Sequence, residues 1–355
     1  MARIAYFYRE MSEYIEIDLR ALATRHTVSV TGCPTRWPHP LRTWRTVSEA
    51  DVVMSWFASW HAFLPALFAR LQGKPVVLTV GGYDTACLPG IDYGHQRGGL
   101  KSWIARRVMS LATKLVAISD FTVRELDAMG FRGGKVALIP LGLDPARYAA
   151  REHRDRSLVI TTGGVNRNNL DRKGLETFVR AAALLPDRRF VVVGAWMDDA
   201  VEHLKSFATP NVTFTGRLAH EDKVKWMARA AVVVQASQHE AFGLSLAESM
   251  LCGCVPVVTA AGALPWVAGG TGEVVPTQET AALAAAIDRA LSRPASASVA
   301  PRERILAEFT VERRAAALEG LLASQGVRPG VVPSSGAIAS EDRDRSAEHP
   351  ARRAA

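Results

Sequence analysis

The chain has 355 residues, 48% hydrophobic and 22% charged, the composition of a soluble globular protein too long for one ordinary core. No stretch reaches the roughly 18–20 uninterrupted apolar residues of a spanning helix, and the N-terminus MARIAYFYREMSEY lacks an apolar signal core, so neither membrane spanning nor secretion is expected. The net charge of +8 sits mostly in residues 1–150, with 18 Lys/Arg against 12 Asp/Glu, which suits an anionic acceptor or a membrane surface but is also ordinary in an Arg-rich chain.

Apolar runs RIAYFY, TVSV, ADVVMSW, KPVVLTV, KLVAIS and KVALIP follow one another, with helical stretches such as LPALFARLQG, LKSWIARRVMSLA and FTVRELDAMG between many of them. Continuous Val/Ile-rich runs separated by helices predict a parallel sheet covered on both faces. Within GLKSWIARRVMSLATK, Ile104, Val108, Leu111 and Leu115 fall on one face, while Lys101, Arg106, Arg107 and Lys114 decorate the others beside Trp103. That pattern fits a basic amphipathic helix at a membrane surface, or equally a core-packing helix with a wet basic side.

The first domain is therefore placed at residues 1–148, and the charged, aperiodic residues 149–156 are read as a linker. A second series, SLVITTG, RFVVVG, NVTFTG, AVVVQAS and VPVVT, includes LETFVRAAALL and EDKVKWMARA as helices and defines a domain at 157–300. The fold class is α/β, two Rossmann-like doubly wound parallel-sheet domains side by side. Helices are expected at 301–324 and a disordered Gly/Pro/Ser/charge-rich tail at 325–355. The tail's Asp342-Arg343-Asp344 has DxD spacing, but no strand precedes it and no metal site is assigned. Four cysteines form no CxxC pair or disulfide framework, which fits a reduced cytoplasm and makes the Asn211 sequon irrelevant.

Two segments carry chemistry. In SLVITTGGVNRNNLDRKGLETF a strand ends at Gly163-Gly164, and Arg167, Arg172 and Lys173 precede a helix. Glycine lets the backbone approach a phosphate, and charge-assisted hydrogen bonds are worth about 1.5–3 kcal/mol each. On these residues alone, a solvated basic helix start is the favoured reading of the loop. In the second segment, Glu240 and Glu248 flank the turn Phe242-Gly243-Leu244 between an apolar run and a helix. Ligands of open parallel sheets bind at that edge, where a helix N-terminus offers free N–H groups.

The succession RKG, VTFTGRL, ASQHEAFGLSLAESMLCGCVPVVT and GALPWVAGGTGEVVP resembles the donor domain of retaining GT-B glycosyltransferases of group 1, family 4, and Glu240 and Glu248 match that family's E-x7-E motif. GGYDTACLPGIDYG, KLVAISDFTVREL and KVALIPLGLDPARY fall where the family has acceptor-domain loops and its interdomain approach, so the resemblance covers residues 2 to about 322. It implies a GT-B architecture, with the two domains facing across a cleft and the C-terminal helix packing back on the N-terminal domain. It also implies metal-independent transfer, with retention, from a nucleotide-diphosphate sugar to an acceptor hydroxyl, in cell-surface glycan, lipid-linked saccharide or secondary-metabolite synthesis. The donor is a co-substrate, and no cofactor is expected. Expected partners are that donor and a glycan, lipid-linked or small-molecule acceptor, not nucleic acid. The expected location is cytoplasmic, with peripheral contact at the inner membrane face through the basic domain.

The resemblance also assigns roles. Lys173 and Arg167, with Arg172 as the neighbouring candidate, would clamp the diphosphate, and Glu240 would hold the donor sugar near the reacting centre. Glu248 would accept the ribose hydroxyls, and Gly164, Phe242, Gly243 and Leu244 would approach the donor through their backbones. Gly216, Arg217 and Leu218 would line the base pocket, while Gly81, Gly82 and Asp84 would face the acceptor side. Three positions depart from the family. Val165-Asn166 stand where it carries an arginine, Gly81 replaces a histidine, and Trp266 replaces a frequent glutamate. His61 and His95 are the histidines nearest Gly81 in sequence, and His61 reads as a structural one. The alternative function is a catalytically silent sugar-nucleotide-binding protein. A nicotinamide dehydrogenase is disfavoured because no GxGxxG follows a strand.

Overall fold

The computed structural model describes residues 1–34, 37–150, 154–328 and 338–340. The Asp342–Asp344 motif and most of the tail expected to be disordered lie outside the described residues.

The first domain opens with β1 (Arg3–Tyr8), α1 (Glu13–Ala23), β2 (Thr27–Gly32), α2 (Pro40–Glu49), β3 (Val52–Trp56), α3 (Trp60–Leu71) and β4 (Val76–Val80). A loop with two short 3-10 turns leads to α4 (Gly99–Leu111), β5 (Lys114–Ala117), α5 (Asp120–Ala128) and β6 (Val136–Leu138). The strands are parallel in the order β2-β1-β3-β4-β5-β6. β3 and β4 are buried at every residue, as Val-rich runs under helices on both faces require. Val47, Ala66 and Val108 pack on one face, and Ile15, Leu19 and Leu22 on the other. Leu115, expected on the α4 face, lies on β5 instead, because Ala112 turns extended and ends the helix at Leu111. No described helix is long and apolar enough to cross a membrane.

The second domain contains β7 (Asp155–Thr162), α6 (Arg167–Arg172), α7 (Leu175–Ala182), β8 (Arg189–Val193), α8 (Ala200–Lys205) and β9 (Val212–Phe214). It continues with α9 (His220–Arg229), β10 (Ala230–Gln235), α10 (Leu244–Leu251), β11 (Val255–Thr259), α11 (Leu264–Ala268), β12 (Glu273–Val275) and α12 (Thr280–Ser292). Its parallel order is β12-β11-β10-β7-β8-β9. In each sheet the winding direction reverses once, between β1 and β3 and between β7 and β10, which sets a crevice at the strands' carboxyl ends.

The chain then returns through α13 (Val299–Glu308) and α14 (Val311–Ser324), and α14 packs on α1 of the first domain. Three tail residues, β13 (Ile338–Ser340), pair in parallel with the outer edge of β2, an exception to the expected disorder. An open sheet edge needs only main-chain partners, which composition does not reveal. The return is fixed by a buried ion pair. Arg314 Nε and Nη2 donate to the two Asp18 carboxylate oxygens at 2.6 and 2.8 Å, and Arg314 Nη1 donates to the Ile139 and Pro140 carbonyls. Trp56 Nε1 donates to Asp18 Oδ2 at 2.8 Å, so β3, α1 and α14 meet at one carboxylate.

Removing one member of such a pair leaves a buried charge alone. Arg314→Met should lower unfolding free energy by about 3–5 kcal/mol in urea melts. The double variant with Asp18→Asn should recover part of the loss; a loss below about 1 kcal/mol for Arg314→Met would show that α14 is not anchored there.

Candidate active site

At the carboxyl end of β10 the chain turns through residues 236–243 into α10. Gly243 sits left-handed at φ 90° and ψ 54°, and a Cβ there would press on Leu264. The first-turn N–H groups of α10 have no side-chain cap, which leaves them for a ligand. Phe242 faces inward and stacks edge-on against Phe309 at 5.3 Å, so only its backbone can serve the site. Trp266 belongs to the same cluster, 5.0 Å from Phe309, which explains an indole where a polar residue was expected.

Glu240 is the centre of the turn. Its Oε2 accepts from Gln235 Nε2 at 2.9 Å, Ser237 Oγ at 3.3 Å and Lys173 Nζ at 3.4 Å. Oε1 has no donor among the described residues. Burial pushes this carboxyl up, but the Lys173 and Arg172 charges and the hydrogen bonds outweigh it and hold it below the ordinary glutamate value. Glu240 is thus an ionised acceptor with one oxygen anchored and one available.

Lys173 reaches Glu240 because the Arg172-Lys173-Gly174 turn docks on the loop after β10. Gln238 N donates to Arg172 O at 2.8 Å, and Gln278 Nε2 donates to Asp171 O at 2.7 Å. Gly174 is left-handed at φ 64°, and a Cβ there would collide with the Ala236 carbonyl, so glycine is the residue this approach permits. Arg172 lies with its guanidinium 4.7 Å from the Tyr93 ring of the first domain, and donates to Asn169 Oδ1 at 2.6 Å. Arg167 does not join them. It is exposed at the start of α6, and its Nε donates to Asp199 Oδ1 at 2.8 Å. The backbone geometry explains why: Asn166 caps α6 and turns residue 167 outward.

Gly164, Arg217, Leu218 and Glu248 line one cavity of about 270 Å³, together with Lys223 and Ser245. Gly216, left-handed at φ 71°, stands beside it under Trp196. Leu244 opens α10, next to Ser245. Glu248 is buried and already engaged: Tyr148 Oη donates to Oε1 at 2.8 Å, and Lys223 Nζ contacts Oε1 at 3.1 Å and Oε2 at 2.9 Å. Tyr148 and Lys223 were not singled out from sequence. Lys223 lies in the same helix as Lys225, which pairs with surface Asp222, and nothing in the pattern separates the two.

The first domain closes over this edge. A Cβ on Gly82 would collide with Ala241, so glycine allows the two domains to touch beside Glu240. His239 Nε2 lies 3.1 Å from Glu125 Oε1, and Thr85 Oγ1 donates to Glu125 Oε2 at 2.6 Å, a second link across the domains. A cavity of about 960 Å³ borders these residues and reaches Gly262 and Gln278.

Gly81 has no room for a side chain, since a Cβ would run into the Phe57 ring. Phe57 is itself held at φ 67°, a conformation costly for a bulky residue. Asp84 holds this turn in place: Oδ1 accepts from Ala58 N at 2.6 Å and Oδ2 from Gly81 N at 2.7 Å. Expected to face the acceptor side, Asp84 is instead fully buried, and both its oxygens serve the backbone. His61 is likewise internal, with Nε2 2.8 Å from Trp56 O, and burial lowers its pKa to about 4.

Residues 156–293 match the family described as Glycosyl transferases group 1, and residues 13–142 match the Glycosyl transferase 4-like domain. The chain belongs to the group 1 glycosyltransferases. Over 309 residues the glycosyltransferase is 25% identical to the GDP-mannose-dependent monoacylated alpha-(1-6)-phosphatidylinositol monomannoside mannosyltransferase of Corynebacterium glutamicum, covering 79% of this chain and 78% of that one. A D-inositol 3-phosphate glycosyltransferase of Mycobacterium sp. is 34% identical over 131 residues, 34% of this chain and 30% of that protein. In structure it resembles Anabaena HepE in complex with UDP, with a TM-score of 0.76, 18% identity and coverage of 91% and 100%. Sucrose-phosphate synthase from Thermosynechococcus elongatus gives 0.72, 19% identity and coverage of 91% and 99%. These likenesses give the glycosyltransferase the GT-B fold.

One consequence is pH dependence. Burial raises the Asp84 carboxyl to about 7, against the backbone N–H groups of Gly81, Ala58 and Asp84 itself. The folded state then keeps a proton that the unfolded chain releases near pH 4, so this stabilising contribution is full below about pH 4 and lost as pH rises toward about 7. Asp84→Asn should flatten the fall in unfolding free energy across that window; equal slopes in wild type and variant would contradict the assignment.

Proposed function

We propose that the glycosyltransferase moves a sugar from a nucleotide-diphosphate sugar to an acceptor hydroxyl, with retention at the anomeric carbon and without a metal ion. The observation that carries this reading is Glu240, an ionised carboxylate with Oε2 anchored and Oε1 without a protein donor, paired with Lys173. In this reading Oε1 accepts a donor-sugar hydroxyl, and the N–H groups at Gly243 and Leu244 approach the diphosphate. As the glycosidic C–O bond breaks, the electron pair leaves with the diphosphate, and Lys173 and Arg172 offset the growing charge. The geometry of Arg167 does not support its expected share in that clamp, and Arg172 takes it. Glu248 binds the ribose, which requires Lys223 to yield one of the carboxylate oxygens it now holds. Arg217 and Leu218 flank the base.

Gly81 carries no imidazole, His61 is internal, and His239, although beside Glu240, is engaged with Glu125 at 3.1 Å, so in this reading none of the three serves as the base. The proton lost by the acceptor hydroxyl therefore passes to the departing diphosphate, the base that the reaction itself creates beside it. Retention is supported by the group 1 family alone. The mannosyltransferase relative, named for a phosphatidylinositol mannoside, supports a lipid-linked acceptor over a secondary metabolite, and we place the enzyme in the cytoplasm at the membrane's inner face. The crowded turn at Gly81 favours the second reading, a sugar-nucleotide binder without turnover.

Calorimetric titration with UDP-, GDP-, ADP- and dTDP-sugars, followed by transfer assays, separates the two. One donor class should bind, and EDTA should leave turnover unchanged. Lys173→Ala and Glu240→Gln should each cost about 10²–10³ in kcat, and Glu248→Ala should act mainly on donor affinity. Binding without transfer or hydrolysis, unchanged by Glu240→Gln, would leave only the silent binder. Activity lost to EDTA and restored by manganese would refute metal independence.

A further inference from the structure

The chain crosses between the two sheets after β6 and returns between α13 and α14, and the two crossings are bound to each other. Leu143 N donates to the Phe309 carbonyl at 2.8 Å, and Val311 N donates to the Leu143 carbonyl at 3.1 Å. A Cβ on Gly142 would run into the Val311 backbone, so the crossings lie in direct contact. Tyr148 stands on the outward crossing, just after a 3-10 turn at Pro145–Arg147. Its side chain is buried, 2% exposed, and its ring meets His220 edge-on at 5.5 Å. Its carbonyl accepts from Arg302 Nη1 at 3.1 Å, and the same nitrogen donates to the carbonyl of Leu251, the last residue of α10. Arg302 on α13 therefore pins the Tyr148 backbone to the far end of the helix that carries Glu248. From there the Tyr148 hydroxyl donates to Glu248 Oε1 at 2.8 Å.

The two partners of Glu248 are not equivalent. Lys223 lines the cavity beside Glu248, and its side chain is 27% exposed. Tyr148 does not line that cavity; it reaches Glu248 from the protein interior. An entering ribose can displace an ammonium on a flexible stem, but not a phenol held at both its ring and its backbone. Once Lys223 yields, Tyr148 is the one remaining donor to Glu248 among the described residues. A buried carboxylate without any donor is costly, and nothing then fixes its direction. Burial and the Glu248 charge push the Tyr148 phenol up, so it keeps its proton and stays a donor. We propose that Tyr148 is a positioning residue for nucleotide recognition, whose hydroxyl keeps Glu248 aimed at the ribose hydroxyls while Lys223 gives way. The proposal rests on the glycosyltransferase reading, in which Glu248 binds the ribose. It goes further in tying that carboxylate to the crossings between the sheets and not to the cavity wall.

The test is calorimetric titration of the full chain with UDP, GDP and ADP and with the 2′-deoxy form of each. Wild type, Tyr148→Phe, Glu248→Ala and the double variant are compared, each well below its melting transition. Phenylalanine keeps the buried ring and removes only the hydroxyl. The quantity read is the preference for ribose over 2′-deoxyribose, a ratio taken within one variant, so a change in the amount of folded protein cancels. Wild type should prefer the ribose form of the diphosphate it binds best, and Tyr148→Phe should cut that preference by roughly fivefold or more. Glu248→Ala should abolish the preference, and the double variant should match Glu248→Ala alone, as expected if Tyr148 acts through Glu248. The proposal is overturned if Tyr148→Phe keeps the wild-type preference, or if the double variant binds more weakly than Glu248→Ala, since Tyr148 would then serve only the fold. Binding with an unchanged ribose preference removes this proposal alone. Failure of all three diphosphates to bind would remove the glycosyltransferase reading, and this proposal with it.

Discussion

Everything at the carboxyl edge of β10 depends on keeping the Glu240 carboxylate ionised in a place that is mostly closed to water. Its side chain is 17% exposed and that of Lys173 18%. Burial of a lone carboxylate would favour its neutral form, which donates as well as accepts and would lose its pull on a cation. The cost is met by bringing Lys173 and Arg172 across from another strand's loop. That in turn requires Gly174 to pass under the Ala236 carbonyl and Gln278 to pin the turn. The Arg-Lys-Gly sequence and the glutamate turn are therefore one structural unit, although 66 positions separate Gly174 from Glu240.

The same demand extends across the domain boundary. Arg172 is steadied by the Tyr93 ring, His239 beside Glu240 by Glu125, and Ala241 by the bare backbone of Gly82. These contacts are small, and each has meaning only if the two sheets keep their relative position. The Asp18–Arg314 pair does that work from the far side, because it ties the returning C-terminal helix to α1 and β3. A buried ion pair gains little net stability over an apolar packing, but it tolerates only one geometry. Here that geometry sets how the two sheets face each other.

Much of this was legible in the sequence, because its signals were local. Runs such as VVLTV and VPVVT read as buried parallel strands, and both proved buried throughout. Glu240, Lys173 and Glu248 could be named as candidates from motif spacing, and the fold brings Lys173 to 3.4 Å from Glu240 while Glu248 lines the cavity with Gly164 and Arg217. What stayed hidden was contact between distant segments. Tyr148 reaches Glu248 across 100 positions, and Lys223 is indistinguishable from its surface neighbour until the fold turns it inward. Arg167 already stood off the expected arginine position, beyond Val165-Asn166, and the Asn166 cap starts a helix there that directs the guanidinium to Asp199.

The missing histidine is best understood together with its neighbours. Gly81 cannot carry a side chain while Phe57 occupies the space, Phe57 keeps its left-handed backbone only while Asp84 holds Ala58 and Gly81, and Asp84 is consumed in doing so. A single reversion to histidine would therefore not restore an imidazole to the site; it would first have to displace an aromatic ring and loosen a strained turn. These residues act as a set, and the set leaves the bare backbone of Gly82, not a side chain, facing Ala241. In the proposed transfer, the charge on the leaving diphosphate then falls to Lys173 and Arg172.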